Sequence, residues 1–147
     1  MSYHISIIDV EPRPTAVIPA TTTWPEFPAL WGQLSGEVWA CLRAGGVERG
    51  CPNVMVYHDD TPRVEIGVLF NVPCPLTGRV VESTLPAGQA AMTVHHGPYA
   101  KLGSAHDAVV KFALAQGRQP TRTRWEIYGP HREDPAELTT EVYWLLA

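Results

Sequence analysis

With 147 residues and 45% hydrophobic content, the chain is long enough for one globular domain with a real core. A formal charge of −4, with only 11 Lys and Arg, argues against nucleic acid as a primary partner, because phosphate neutralisation needs a basic face. No stretch approaches the ~20 apolar residues of a membrane helix, and the start MSYHISIIDVEPRP lacks the basic-then-apolar order of a secretory signal. Cys41, Cys51 and Cys74 form no CxxC or paired framework, so a reducing cytoplasm is the expected setting.

His4 to Val10 alternates as a strand, Pro12 and Pro14 bound a turn, and Ala16 to Ala20 reads as a second short strand. Thr23-Trp24-Pro25-Glu26 has capping-box spacing with a proline in the first turn, a helix start. Apolar residues then recur at Phe27, Leu30, Trp31, Leu34, Val38 and Leu42 with the helical period, and Gly45-Gly46 ends the run. Asn53 to His58 and Arg63 to Val72 are predicted strands joined by Asp59-Asp60-Thr61-Pro62. The same order then repeats. Arg79 to Thr84 and Gln89 to His95 are predicted strands, and Gly97-Pro98-Tyr99 leads into a helix with Leu102, Ala105, Val109, Phe112 and Ala113 on one side, closing at Gly117. Arg124 to Tyr128 and Thr139 to Leu146 follow, separated by a loop over 129–137.

Two βαββ copies, about residues 1–75 and 76–147 of a single domain, predict an α+β fold. The expected form is one curved antiparallel sheet of about eight strands with two helices on one face and a central ligand cleft. Each copy closes on an apolar strand interrupted by one carboxylate, Glu65 in RVEIGVLF and Glu141 in TEVYWLL. A carboxylate among apolar neighbours costs free energy unless a charge or hydrogen-bond donor meets it, which points to a groove for a ligand. The expected helix-facing set is Val54, Val56, Val64, Ile66, Val68, Trp125, Ile127, Val142 and Trp144. The opposite, groove-facing set is Met55, Tyr57, Glu65, Gly67, Tyr128, Glu141 and Tyr143. Gly67 stands where the second copy has Tyr143, which is expected to leave space for a bound molecule.

LPAGQAAMTVHHGPYAKLGSAHDAVVKF, WEIYGP and TTEVYWLL resemble the core of a GyrI-like domain. The most specific elements are the H-x-G-P-Y formed by His95, Gly97, Pro98 and Tyr99, and the closing T-E-hydrophobic-Y formed by Thr140, Glu141, Val142 and Tyr143. The resemblance spans the chain and implies an effector-binding domain like those of MerR- and AraC-type multidrug regulators. It implies a lipophilic, cationic or aromatic small molecule as partner, with Glu141 as counter-charge and Tyr128 and Tyr99 around it. The two copies use essentially all 147 residues, so a stand-alone form is expected, with no direct nucleic-acid contact, no membrane association, and a protein partner or homodimer left open. One alternative is a hydrolase of reactive, cyclopropane-type compounds using Glu141 and Tyr128; another is a protein-binding module of the DNA gyrase inhibitor type.

Each candidate also has an ordinary reading. Glu65 and Glu141 could pair with Arg63 or Arg124 or be solvated, and Tyr57, Tyr128 and Tyr143 could be half-buried strand residues. Trp39 lies off the core stripe of its helix and is carried as a ligand-contact candidate. Trp24 and Tyr99 occupy equivalent helix starts. Adjacent His95 and His96 face opposite ways on a strand, and His58-Asp59-Asp60 lacks a partner at ligand spacing, so no metal and no cofactor are expected. Ser104, His106 and Asp107 diverge within one helical turn and cannot form a nucleophile–base chain.

Overall fold

A computed structural model describes residues 3–147. The chain divides into two compact units. One is continuous, Pro12–Leu85; the other joins residues up to Glu11 with Pro86–Ala147. Among the described residues no helix is long and apolar enough to cross a membrane.

The continuous unit contains β2 (Pro14–Thr21), α1 (Phe27–Ala44), β3 (Asn53–Tyr57), β4 (Arg63–Leu69) and β5 (Val81–Thr84), with antiparallel sheet order β3-β4-β2-β5. The discontinuous unit contains β1 (Ser6–Val10), β6 (Gly88–His96), α2 (Leu102–Ala115), β7 (Pro120–Tyr128) and β8 (Thr139–Leu146), ordered β1-β6-β8-β7 and also antiparallel. Eight strands and two helices make an α+β fold. The first strand of each sequence copy is exchanged: β1 pairs with β6, and β5 pairs with β2.

Both helices start and stop where local chemistry dictates. Thr23 takes the backbone N–H of Glu26 on its hydroxyl at 3.4 Å and that of Phe27 on its carbonyl at 2.9 Å, so residues 23–26 form a turn ahead of α1. Leu34, Val38, Cys41 and Leu42 of α1 are buried. In the second helix Leu102, Ala105, Val109 and Ala113 pack with Ala91, Val142 and Leu146 into one core. The H-x-G-P-Y segment is a fastening. Buried His95 meets the Pro98 carbonyl at 3.1 Å and the Tyr3 hydroxyl at 2.9 Å, and Gly97 has φ +128°, a conformation that favours glycine.

Directly opposed residues of an antiparallel pair share a face, and the registers correct the expected faces. Met55 opposes Ile66 and Tyr57 opposes Val64, so Met55 and Tyr57 belong to the α1-facing side; Val56 opposes Glu65 and Val54 opposes Gly67 on the other side. In the second unit Trp125 opposes Tyr143 and Ile127 opposes Glu141, whereas Tyr128 opposes Thr140 on the α2-facing side with Val142 and Trp144. The reason is a parity error of one residue in β3 and β7, which inverts every side chain of a strand. The run NVMVY is apolar at four of its five positions, so no alternation fixes its parity.

Gly67 is also corrected. A Cβ there would lie 1.9 Å from the Ala16 carbonyl oxygen and 2.8 Å from Val17 Cα. The neighbouring backbone of β2 fills the volume expected to be free, and the glycine is required by that close approach.

Candidate functional site

On the face of the discontinuous unit that points away from α2, β8 presents Glu141 and Tyr143, and β7 presents Trp125 and Ile127. Trp125 and Tyr143 stack with ring centroids 5.2 Å apart and planes 8° from parallel. The Tyr143 hydroxyl donates to Glu141 Oε1. The other carboxylate oxygen has no hydrogen-bond or ion-pair partner among the described residues, and Glu141 is half-buried. An anionic oxygen beside stacked aromatic rings is the electrostatic complement of an organic cation, since coulombic attraction and cation–π contact act together where water is thinned.

The equivalent carboxylate in the continuous unit is engaged differently. Glu65 Oε2 lies 2.5 Å from His58 Nε2, with the glutamate side chain 15% exposed. When His58 carries a proton, this pair is internally neutral.

A third carboxylate lies in β7, on the α2-facing side. Trp144 Nε1 donates to His106 Nδ1 at 2.9 Å, His106 Nε2 meets Glu126 Oε2 at 2.6 Å, and the Tyr128 hydroxyl donates to Glu126 Oε1 at 2.5 Å. Indole N–H is only a donor, so His106 Nδ1 must offer its lone pair and the ring proton sits on Nε2, pointing at Glu126. The chain is therefore a neutral imidazole and a phenol holding a buried carboxylate, with the Arg124 guanidinium 5.1 Å over the Trp144 ring. Tyr99, 47% exposed, meets Tyr128 edge-on at 5.5 Å.

The sequence candidates thus separate. Glu141 and Tyr143 stay together. Tyr128 and Tyr99 form a pair on the opposite side of the same sheet. In the continuous unit Tyr57 packs on Trp24 at 5.8 Å and Phe27 at 5.7 Å on the α1-facing side, away from Glu65. Trp39 is tied to β3, donating to Asn53 Oδ1 at 2.7 Å with Arg43 over its ring at 5.8 Å. Sequence reasoning passed over Glu126 and dismissed His106 after testing it only against Ser104 and Asp107. A signal was available: Glu126-Ile127-Tyr128 has the same Glu-x-Tyr spacing as Glu141-Val142-Tyr143, and period-2 geometry brings residues i and i+2 onto one face.

Each unit thus sets a glutamate of its antiparallel sheet against a tyrosine or histidine side chain. The chain matches the GyrI-like small molecule binding domain over residues 3–147 and belongs to that family. Solved structures with the same fold include the C-terminal domain of EcmrR, at 19% identity and TM-score 0.76, covering 100% of this chain and 99% of that one. SAV2435 bound to tetraphenylphosphonium superposes at 14% identity and TM-score 0.66, covering 100% and 94%. A hydrolase from Listeria innocua superposes at 12% identity and TM-score 0.63, covering 97% and 91%. No curated protein sequence matches.

Proposed function

We propose that this domain reversibly captures a lipophilic organic cation, with Glu141 as counter-charge and Trp125 and Tyr143 as the aromatic wall. The observation that carries this reading is the half-buried Glu141 carboxylate, which accepts at one oxygen from a neutral phenol and has no partner for the other among the described residues. A phenol does not cancel the charge, so the full negative charge is available to a ligand. SAV2435, with the same fold, is bound to a lipophilic cation, and the EcmrR domain belongs to a protein seen on DNA. Both agree with a sensing or sequestering role in the cytoplasm.

The test is a tryptophan-fluorescence titration with tetraphenylphosphonium and with neutral triphenylphosphine oxide, on wild type and Glu141→Gln. Loss of the carboxylate is expected to weaken the cation about tenfold, about 1.4 kcal/mol, and to leave the neutral compound unchanged. Equal cation affinity in both proteins would sink the charge role. A second reading, hydrolysis, is favoured by the same Tyr143–Glu141 hydrogen bond, which could move a proton to and from water, and by the fold shared with a hydrolase. It requires chemical consumption of the compound, read by mass spectrometry, where capture returns it intact.

A further inference from the structure

All three cysteines of the chain lie in the continuous unit as free thiols, Cys41 and Cys51 buried and Cys74 half-buried. They come from separate segments and converge on one short stretch of the loop between β4 and β5. Cys51 Sγ lies 4.0 Å from the Val72 carbonyl. Cys41 Sγ, on α1, accepts the Thr77 N–H at 3.4 Å and lies 3.9 Å from the Pro75 carbonyl. Cys74 falls between these contacts and rests on the end of α1: a Cβ on Gly45 would be 2.8 Å from Cys74 Cβ and 3.0 Å from its Sγ. Gly45 is one turn beyond Cys41, and positions four apart on a helix face are about 5–6 Å apart. The missing side chain at Gly45 is what lets Cys74 settle against the helix beside Cys41.

We propose that Cys74 and Cys41 are a reversible dithiol–disulfide pair, a modification site for low-molecular-weight disulfides, and that its closure pins this loop to the C-terminal turns of α1. The more exposed Cys74 meets the oxidant first. Its thiolate attacks one sulfur of the external disulfide, forming a mixed disulfide and releasing one small thiol. Cys41 Sγ then attacks Cys74 Sγ, forming the Cys41–Cys74 bond and releasing the second small thiol. Two electrons pass from the cysteine pair to the external disulfide, and the two thiol protons leave with the released thiols. A disulfide needs Cβ atoms about 4 Å apart; residues 70–80 contain no helix or strand, so the approach breaks no ladder. The ion pair that ties the loop to α1, Arg79 with Glu37, is closed on itself through two hydrogen bonds. Burial pushes the Cys74 thiol up, and Cys41 and Cys51 beside it push the same way. Exchange is therefore slow at neutral pH, and its rate should still be climbing at pH 9. The inference uses the continuous unit alone and does not depend on the proposed function.

The test is incubation of the folded protein with glutathione disulfide, blocking with iodoacetamide, and peptide mapping by mass spectrometry. Trypsin cuts after Arg43, Arg49, Arg63 and Arg79, so each cysteine falls on its own peptide. The expected product joins the Cys41 and Cys74 peptides within one chain, persists in Cys51→Ser, and is absent from Cys41→Ser, where Cys74 stays as the glutathione adduct. Closure should raise the melting temperature about 5–10 °C over the reduced protein, and dithiothreitol should reverse it. Gly45→Ala places a methyl group where Cys74 rests, and should slow bond formation several-fold without slowing alkylation of Cys74 by iodoacetamide. The wild-type map decides the pairing even if a serine variant fails to fold. A bond from Cys74 to Cys51, a disulfide between two chains, or a glutathione adduct on wild-type Cys74 that never resolves would each overturn the pair.

Discussion

The two units meet the same problem, a glutamate in an apolar strand facing away from the helix, with different partners. Glu65 is met by a histidine and Glu141 by a tyrosine. Histidine can acquire a proton and neutralise its neighbour; a phenol polarises the carboxylate but leaves its charge in place. Corresponding positions in the two units therefore do not share one set of partners. The partner two to seven residues away decides whether the carboxylate is closed or available. A second contrast lies two residues further on, where the continuous unit has Gly67 and the other has Tyr143. The glycine marks backbone crowding, the tyrosine an aromatic surface.

The largest effect that would test the comparison is Gly67→Ala. A methyl group 1.9 Å from a carbonyl oxygen cannot be accommodated without moving β2. The expected cost is at least ~3 kcal/mol, roughly 6–12 °C in melting temperature for a chain of this size. A melt within ~2 °C of wild type would mean the crowding is not real. Next is the histidine pair. His106→Leu removes one of two donors to a carboxylate whose side chain is 6% exposed, and should cost about 1.5–3 kcal/mol in urea unfolding. His58→Leu, in a pair where the histidine is 37% exposed, should cost less than about 1 kcal/mol. Equal costs would break the distinction between a closed network and a surface pair.

The smallest effect concerns acid. Arg79 grips Glu37 through two hydrogen bonds at 2.5 and 2.9 Å, and Arg63 grips Asp59 at 2.6 Å, all in the continuous unit. The Arg79 hydrogen bond holds the Glu37 carboxyl below its ordinary value, and the Arg63 side chain, with backbone N–H groups, holds Asp59 well below it. Folded values below unfolded ones give stabilisation that is complete above the ordinary carboxylate range, about pH 4. It is lost as pH falls toward the folded values. The double variant Glu37→Gln, Asp59→Asn should have a melting temperature that varies less with pH between 3 and 6 than wild type. Superimposable curves would show that neither pair contributes.

Period, turn chemistry and repetition made the architecture legible. Thr139–Leu146 was bounded from its alternation alone, and both helices came from apolar spacing with glycine stops. Side-chain direction was less legible, for a physical reason. Val54, Met55 and Val56 are all buried, so neither face carries the polar residues that would set parity. Glu126 was hidden because TRTRWEIY reads as a polar strand, although its glutamate is among the most buried charges described. Glu141 stood out because its strand holds no other charge. The network around Glu126 needed the register of β7 on β8 and the rotation of α2, neither of which is written in residue spacing.

The exchanged strands carry a consequence for how the chain is made. Everything the continuous unit needs emerges in one stretch, Pro12–Leu85, and can collapse as soon as Leu85 is free. The other unit cannot close early, because β1, synthesised ahead of the continuous unit, pairs with β6, whose last residue is His96. At about 5–20 residues per second, the ribosome keeps that edge strand waiting roughly 4 to 17 seconds. Its loop must then be closed at an entropic cost that grows only logarithmically with length. Translation thus orders maturation: the half whose glutamate is already answered by histidine is finished first, and the half proposed to hold the ligand is completed last.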